Sequence, residues 1–203
     1  MIRIASEADY RRTEELTREA FWNKYHPGCS EHYVLHRFRR NHALIPELDL
    51  VIEADGQIIG HIMYCPASIA LDAGGQCPIV VFGPVSIDPA RQGQGFGNRL
   101  IQYSLEKAAQ MGFGAVAITG SPDYYHRFGF ISGSSMGIYY HGVDRSEEAP
   151  FFMVKELHAG YLKHVTGTYS DPAGYLVDNT DVERFDQNFP PKIKLKLPGQ
   201  LEP

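Results

Sequence analysis

Hydrophobic spacing changes twice along the chain, and each change marks a different kind of element. Residues 2–5 read as a short strand, after which Leu16, Ala20 and Phe21 recur at helical intervals. Ser6 and Asp9 stand in the S-x-x-D relation of a capping box, so a helix should begin there. Tyr33, Val34 and Phe38 form the apolar stripe of a second helix, capped by Ser30 and barred from continuing by Pro46. From residue 50 the period shortens to that of strands. Two apolar runs flank Asp55-Gly56, the signature of a type I′ hairpin, and a second turn at 72–75 leads into P-I-V-V-F-G-P-V-S-I at 78–87. That run is almost wholly apolar, as a central strand covered on both faces would be.

Helical spacing returns over 98–111, where Ile101, Leu105 and Ala108 fall in line and Gly112 stands as a stop. Residues 115–119 read as another buried strand. Strand, glycine-rich turn, helix and strand make one βαβ unit, whose two strands lie parallel and adjacent. A short helix at 124–128 follows Pro122, and late strands are expected at 138–140 and 151–157. Beyond His158 the pattern loosens. T-D-V-E at 180–183 has the form of a further capping box, and Pro190-Pro191 ends whatever follows it. Lys192, Lys194 and Lys196 alternate with Ile193, Leu195 and Leu197, which predicts a half-exposed edge strand. The expected class is α+β: a central, mostly antiparallel mixed sheet with one parallel βαβ pair. Residues 1–157 are expected as the domain and 158–203 as a C-terminal extension on or beside it.

Composition narrows the partners. The formal net charge of -5 argues against general affinity for nucleic acid or anionic membrane, both of which want a basic face. Cys29, Cys65 and Cys77 are an odd, sparse set, which suggests thiols in a reducing compartment. No apolar run approaches membrane-helix length, and the opening M-I-R-I-A-S-E-A-D-Y turns polar too early for a signal peptide. The reading is cytoplasmic.

R-Q-G-Q-G-F-G-N-R-L at 91–100 poses the chemical question, because glycine at such density lets backbone approach an anion closely. A dinucleotide fingerprint starting at Gly93 and Gly95 meets Asn98 where its third glycine belongs, and the loop follows a meander rather than opening the first βαβ unit. A nucleoside-triphosphate loop fails because no G-K-[ST] follows. What fits is Q-x-x-G-x-G, from Gln92 through Gly93, Gln94, Gly95 and Phe96 to Gly97. This resembles the acyl-CoA-binding motif of the GNAT superfamily of N-acyltransferases. G-P-V-S-I-D-P upstream resembles that family's fourth strand, and Y-H-R-F-G-F at 125–130 its Y-x-x-x-G-F. S-P-D-Y-Y-H-R-F-G-F is similar to a bacterial subgroup of predicted N-acetyltransferases. The family's N-x-x-A-x-x-x before the tyrosine is missing: Ile118 stands where the asparagine would be, so that role is not carried over.

The resemblance implies a GNAT-like fold splayed at the coenzyme site, acetyl-CoA as co-substrate, no metal, and a small-molecule or peptide amine acceptor. It implies that backbone around Val85 and Ile87 meets the pantetheine arm and thioester, that residues 92–97 hold the pyrophosphate, and that Tyr125 is the general acid. The competing reading of Tyr125 is a packed core residue whose hydroxyl is satisfied by backbone. Glu53, His61, Ser86 and Asp88 lie on or near central strands, and none stands out as general base. Cys29, His32 and His36 have metal-like spacing but lack a fourth ligand, so scattered helix histidines are expected instead. The run H-R-F-R-R at 36–40 reads mainly as an exposed helix face; contact with the coenzyme's 3′-phosphate or an acidic partner stays open. So do three roles for the extension: closing over the acceptor, pairing as a homodimer, or finishing the sheet. The rival to an enzyme is a non-catalytic acyl-CoA-binding module on the same fold.

Overall fold

The structure is a computed structural model that describes residues 1–201. In chain order the elements are β1 (Ile2–Ile4), α1 (Tyr10–Phe21), α2 (Glu31–Arg40), β2 (Leu50–Ala54), β3 (Gln57–Leu71) and β4 (Gln76–Ile87). There follow α3 (Phe96–Gln110), β5 (Ala115–Thr119), α4 (Pro122–Tyr125), β6 (Ile131–Ser132) and β7 (Ile138–Tyr140). The last are β8 (Phe152–Glu156), β9 (Gly167–Tyr169) and α5 (Asn179–Asp186). The described residues group into two units, the first comprising residues 1–63, 84–101 and 173–201, the second 64–83 and 102–172.

In the first unit β2 pairs antiparallel with β1 and with the first half of β3, and β4 lies on the other side of β3. The turn between β2 and β3 is the expected one: Asp55 (φ 53°) and Gly56 (φ 73°) both take the left-handed conformation. Asp9 reaches back to accept the Ser6 N–H at 2.7 Å, the acid half of the capping box. One face of α1 departs from the simple amphipathic picture, because Thr13, Glu14, Thr17 and Arg18 are buried beside Leu16. Each has a partner. Arg39 donates to Thr13 Oγ1, Thr17 Oγ1 lies 2.8 Å from Ser86 Oγ, His36 meets Glu14, and Arg18 meets Asp186.

Three expectations for this unit are corrected. Residues 192–197 form no strand: the Ile193 carbonyl accepts from Trp22 Nε1 and Asn23 Nδ2, and Asn23 Oδ1 accepts the Leu195 N–H. A side-chain clamp replaces the ladder, and Ile193 is left 78% exposed. The cap of α5 is Asp178, which accepts from the Thr180 N–H, rather than Thr180 itself. The basic run on α2 is not simply a solvated face, since Phe38 and Arg39 are buried and Arg39 forks onto Asp49.

In the second unit β4 pairs parallel with β5, as the βαβ reading requires, and β5 pairs antiparallel with β8, which also carries β6. β9 pairs antiparallel with β3 and parallel with β7, a second, short parallel pair that the sequence reading did not include. The core here is aromatic-rich, with Tyr64, Phe82, Phe130, Phe152 and Tyr169 all nearly inaccessible. Mixed, mostly antiparallel pairing around a parallel βαβ pair is the α+β arrangement expected.

Candidate active site

The end of β4 sets up the glycine turn. Pro84 and Ser86 are buried while Val85 and Ile87 are half-buried, so the strand keeps one covered and one more open side. Asp88 follows, its N–H donating to the Ile59 carbonyl and its carboxylate accepting the Ala90 N–H at 2.9 Å. That is an Asx turn, the usual device of Asp before Pro. The β4–β5 ladder is two register pairs long, Val80 with Val116 and Val81 with Ala117, although β4 runs on to Ile87.

Gly93 (φ 73°) and Gly95 (φ 84°) both occupy the left-handed region, and nothing lies within 4 Å of where a Cβ would stand on either. Side chains in the turn fold inward: Gln92 Nε2 donates to the Ile87 carbonyl and Gln94 Nε2 to the Ala90 carbonyl. The two amides therefore brace the turn and leave its open side to backbone. Helix α3 begins at Phe96, two residues earlier than its spacing predicted, and Arg99 N–H bonds the Gly95 carbonyl at 3.1 Å. The N–H groups of the first turn, Phe96 and Gly97 among them, have no acceptor within their own helix. Together with the positive end of the helix dipole they suit an anion. Arg91 is turned to Asp55 at 2.8 Å.

The four residues considered as bases are all engaged. Glu53 pairs with Arg3 at 2.6 Å, Ser86 bonds Thr17, and Asp88 caps its turn 3.5 Å from Arg12. His61 is completely buried with Nε2 2.6 Å from Asp49, and burial lowers its affinity for a proton. Burial alone would raise the Asp49 carboxyl, but bonds from His61 and Arg39 hold it well below the usual carboxylate range. Among the described residues His61 Nδ1 has no hydrogen-bond partner.

Tyr125 lies in the second unit. After β5, Gly120 N–H bonds the Phe151 carbonyl, and the Ser121 carbonyl accepts from both Tyr124 and Tyr125 N–H to start α4. The Tyr125 ring is 8% exposed by residue and packs edge-on against Phe82 and Phe130 at centroid distances of 5.9 Å. It also covers Gly120 so closely that a Cβ there would stand 2.5 Å from Cε2. Burial raises the neighbouring Tyr64 phenol, whose hydroxyl lies 2.8 Å from Ser104 Oγ.

Cys29, His32 and His36 do not converge. Cys29 Sγ is 3.4 Å from His32 Nδ1, His32 Nε2 faces Asp186, and His36 turns to Glu14. Among the described residues no cluster of His, Cys, Asp and Glu is arranged to hold a metal ion, and no helix is long and apolar enough to cross a membrane. Sequence spacing missed Gly120 as the seat of Tyr125, and missed a cleft walled by Ser132, Ser134 and Glu148 in the second unit.

Residues 1–132 match the model of the acetyltransferase (GNAT) domain family. The chain is 33% identical over 86 residues to a protein described as an uncharacterized N-acetyltransferase, YjhQ, from Escherichia coli (strain K12). That stretch is 42% of this chain and 46% of the relative, so the similarity spans less than half of either. A GNAT family N-acetyltransferase, YhbS, from Escherichia coli, solved in complex with CoA, superimposes with a TM-score of 0.75 at 26% identity. The match covers 86% of this chain and 91% of that one. A GNAT family acetyltransferase from Brucella melitensis, solved in complex with acetyl-CoA, gives a TM-score of 0.69 at 27% identity over 87% and 97% of the two chains.

Proposed function

The chain belongs to the GNAT family of acetyltransferase domains, and from that membership we propose that it moves an acetyl group from acetyl-CoA to a primary amine. The observation that carries the reading is the turn at Gly93 and Gly95, left-handed and open on its outer side at the start of α3. A pyrophosphate suits such a seat, because successive N–H groups and the helix dipole meet spread negative charge without a side chain intervening. Coenzyme A carries that group, and the CoA and acetyl-CoA complexes of the two solved relatives support the same choice. In this reading Gln92, Gly93, Gln94, Gly95, Phe96 and Gly97 hold the pyrophosphate, and backbone near Val85 and Ile87 holds the pantetheine arm and thioester.

In the transfer an N–C bond forms as the C–S bond breaks, the amine loses a proton and the departing thiolate gains one. Tyr125 is assigned as the donor to the thiolate, its ring fixed by Gly120, Phe82 and Phe130. Glu53, His61, Ser86 and Asp88 are each committed to other partners, so water takes the amine proton away.

Calorimetry of acetyl-CoA binding to Gly95→Val tests the loop assignment. The valine has room on the protein's side but occupies the coenzyme's approach, and a Cβ in the left-handed region costs about 1–2 kcal/mol. Binding should weaken at least about tenfold, a change of roughly 1.4 kcal/mol. Unchanged affinity in a protein with wild-type circular dichroism overturns the assignment.

A further inference from the structure

A cleft of about 350 Å³ in the second unit is lined by Pro122, His126, Ser132, Ser134, Ser135 and Glu148. Its hydroxyl wall comes from S-G-S-S at 132–135, a stretch that the coenzyme reading leaves unexplained. That wall is built. Gly133 N–H bonds the Phe152 carbonyl, Ile138 N–H bonds the Gly133 carbonyl, and Gly137 N–H bonds the Ser134 carbonyl. A Cβ on Gly133 would stand 2.3 Å from Phe152 Cε1 and 2.7 Å from the Ile138 carbonyl oxygen, so the backbone is pressed onto its neighbours.

The polar accounting leaves capacity for a ligand. Ser132 and Ser134 hydroxyls lie 2.9 Å apart, a bond that uses one of their two protons, and Ser135 gives its own to the Ser132 carbonyl at 2.6 Å. One hydroxyl proton and several lone pairs stay available. Glu148 adds the one formal charge among these six residues, and it is negative. A free phosphate or carboxylate is therefore disfavoured, while an ammonium group is favoured. The cleft adjoins the helix that carries Tyr125, since Pro122 opens α4 and His126 follows Tyr125 directly.

We infer that this cleft binds a small hydroxylated primary amine, its ammonium set against Glu148 and its hydroxyls against Ser132 and Ser134. The inference rests on the acetyltransferase reading in one respect only: the molecule bound here is then the acceptor. Amino sugars and amino alcohols have the required chemistry.

The test is two-dimensional NMR of the whole chain titrated with D-glucosamine, with glucose as the uncharged control and no acetyl-CoA present. Saturable shifts centred on His126, Ser132, Ser134 and Ser135, absent with glucose, are expected. Glu148→Gln should weaken the glucosamine response by up to about fivefold, the upper end for an ion pair with an exposed carboxylate. Ser134→Ala should weaken it too, with the rest of the spectrum unchanged. No shift at these residues, or equal shifts with glucose, overturns the inference. Because acetyl-CoA affinity is measured separately, loss of the one leaves the other standing.

Discussion

Gly120 and Tyr125 are fitted to each other, a Cβ at residue 120 standing 2.5 Å from ring atom Cε2 and 3.2 Å from Cδ2. Residue 120 does not lie in the left-handed region, so the glycine answers to contact and not to backbone strain. Gly120→Ala must therefore push the Tyr125 ring off the position that Phe82 and Phe130 define. The expected cost is about 1–3 kcal/mol of stability, the usual range for an overfilled core. The same variant should lower kcat more than it weakens acetyl-CoA binding. Denaturant unfolding and steady-state kinetics check the two halves; an unaffected kcat would detach Tyr125 from the chemistry.

Stability should fall on mild acidification because of His32. Its ring is buried between Phe185 and Phe189, Nδ1 lies 3.4 Å from Cys29 Sγ, and Arg18 shares Asp186 with it. Nε2 stands 3.1 Å from Asp186 Oδ1 but off the line of a hydrogen bond. Burial, the largest influence, pushes the imidazole down to about 4 from 6.5, outweighing the pull of Asp186. Between those values the unfolded chain binds a proton that the folded chain refuses. The contribution is thus complete above about pH 6.5 and is lost as pH falls toward 4, up to about 3 kcal/mol in all. Urea midpoints at pH 7 and pH 5 should separate clearly for the wild type and less for His32→Leu. Equal losses in both proteins would contradict the assignment.

Two ion pairs on α5 should behave differently. Arg18 has a side chain only 2% exposed and rests on Asp186 through two bonds, at 2.6 and 3.0 Å. Asp186→Asn removes its counter-charge, and an uncompensated buried charge costs about 3–5 kcal/mol. Arg184 with Asp181 is solvent-exposed, so Arg184→Ala should change stability by less than about 0.5 kcal/mol. Guanidinium unfolding of the two variants measures the contrast, and similar small effects would mean that the Trp22 ring, 4.3 Å from Arg18, suffices for it.

What the chain announces in advance is whatever depends on near neighbours. Asp55-Gly56 requires left-handed backbone and takes it, and the apolar run before the glycine turn becomes β4. Gly93 and Gly95 are legible for the same reason, since a turn with nothing on one side needs no distant partner. Long-range pairing is silent. Arg18 looks like a solvated helix residue until Asp186, 168 positions later, meets it. Alternating Lys192–Leu197 imitates a strand, yet Trp22 and Asn23 have already claimed the Ile193 carbonyl. Gly120 has no periodic signature, because its purpose is a ring five residues on.

The central claim, transfer of acetyl from acetyl-CoA to an amine with Tyr125 as acid, is tested most directly by steady-state release of free coenzyme A across a set of primary amines. Amine-dependent, saturable release is predicted, with Tyr125→Phe lowering kcat far more than it changes acetyl-CoA affinity. Stoichiometric binding of acetyl-CoA with no turnover for any amine would contradict it and leave a coenzyme-binding module in its place.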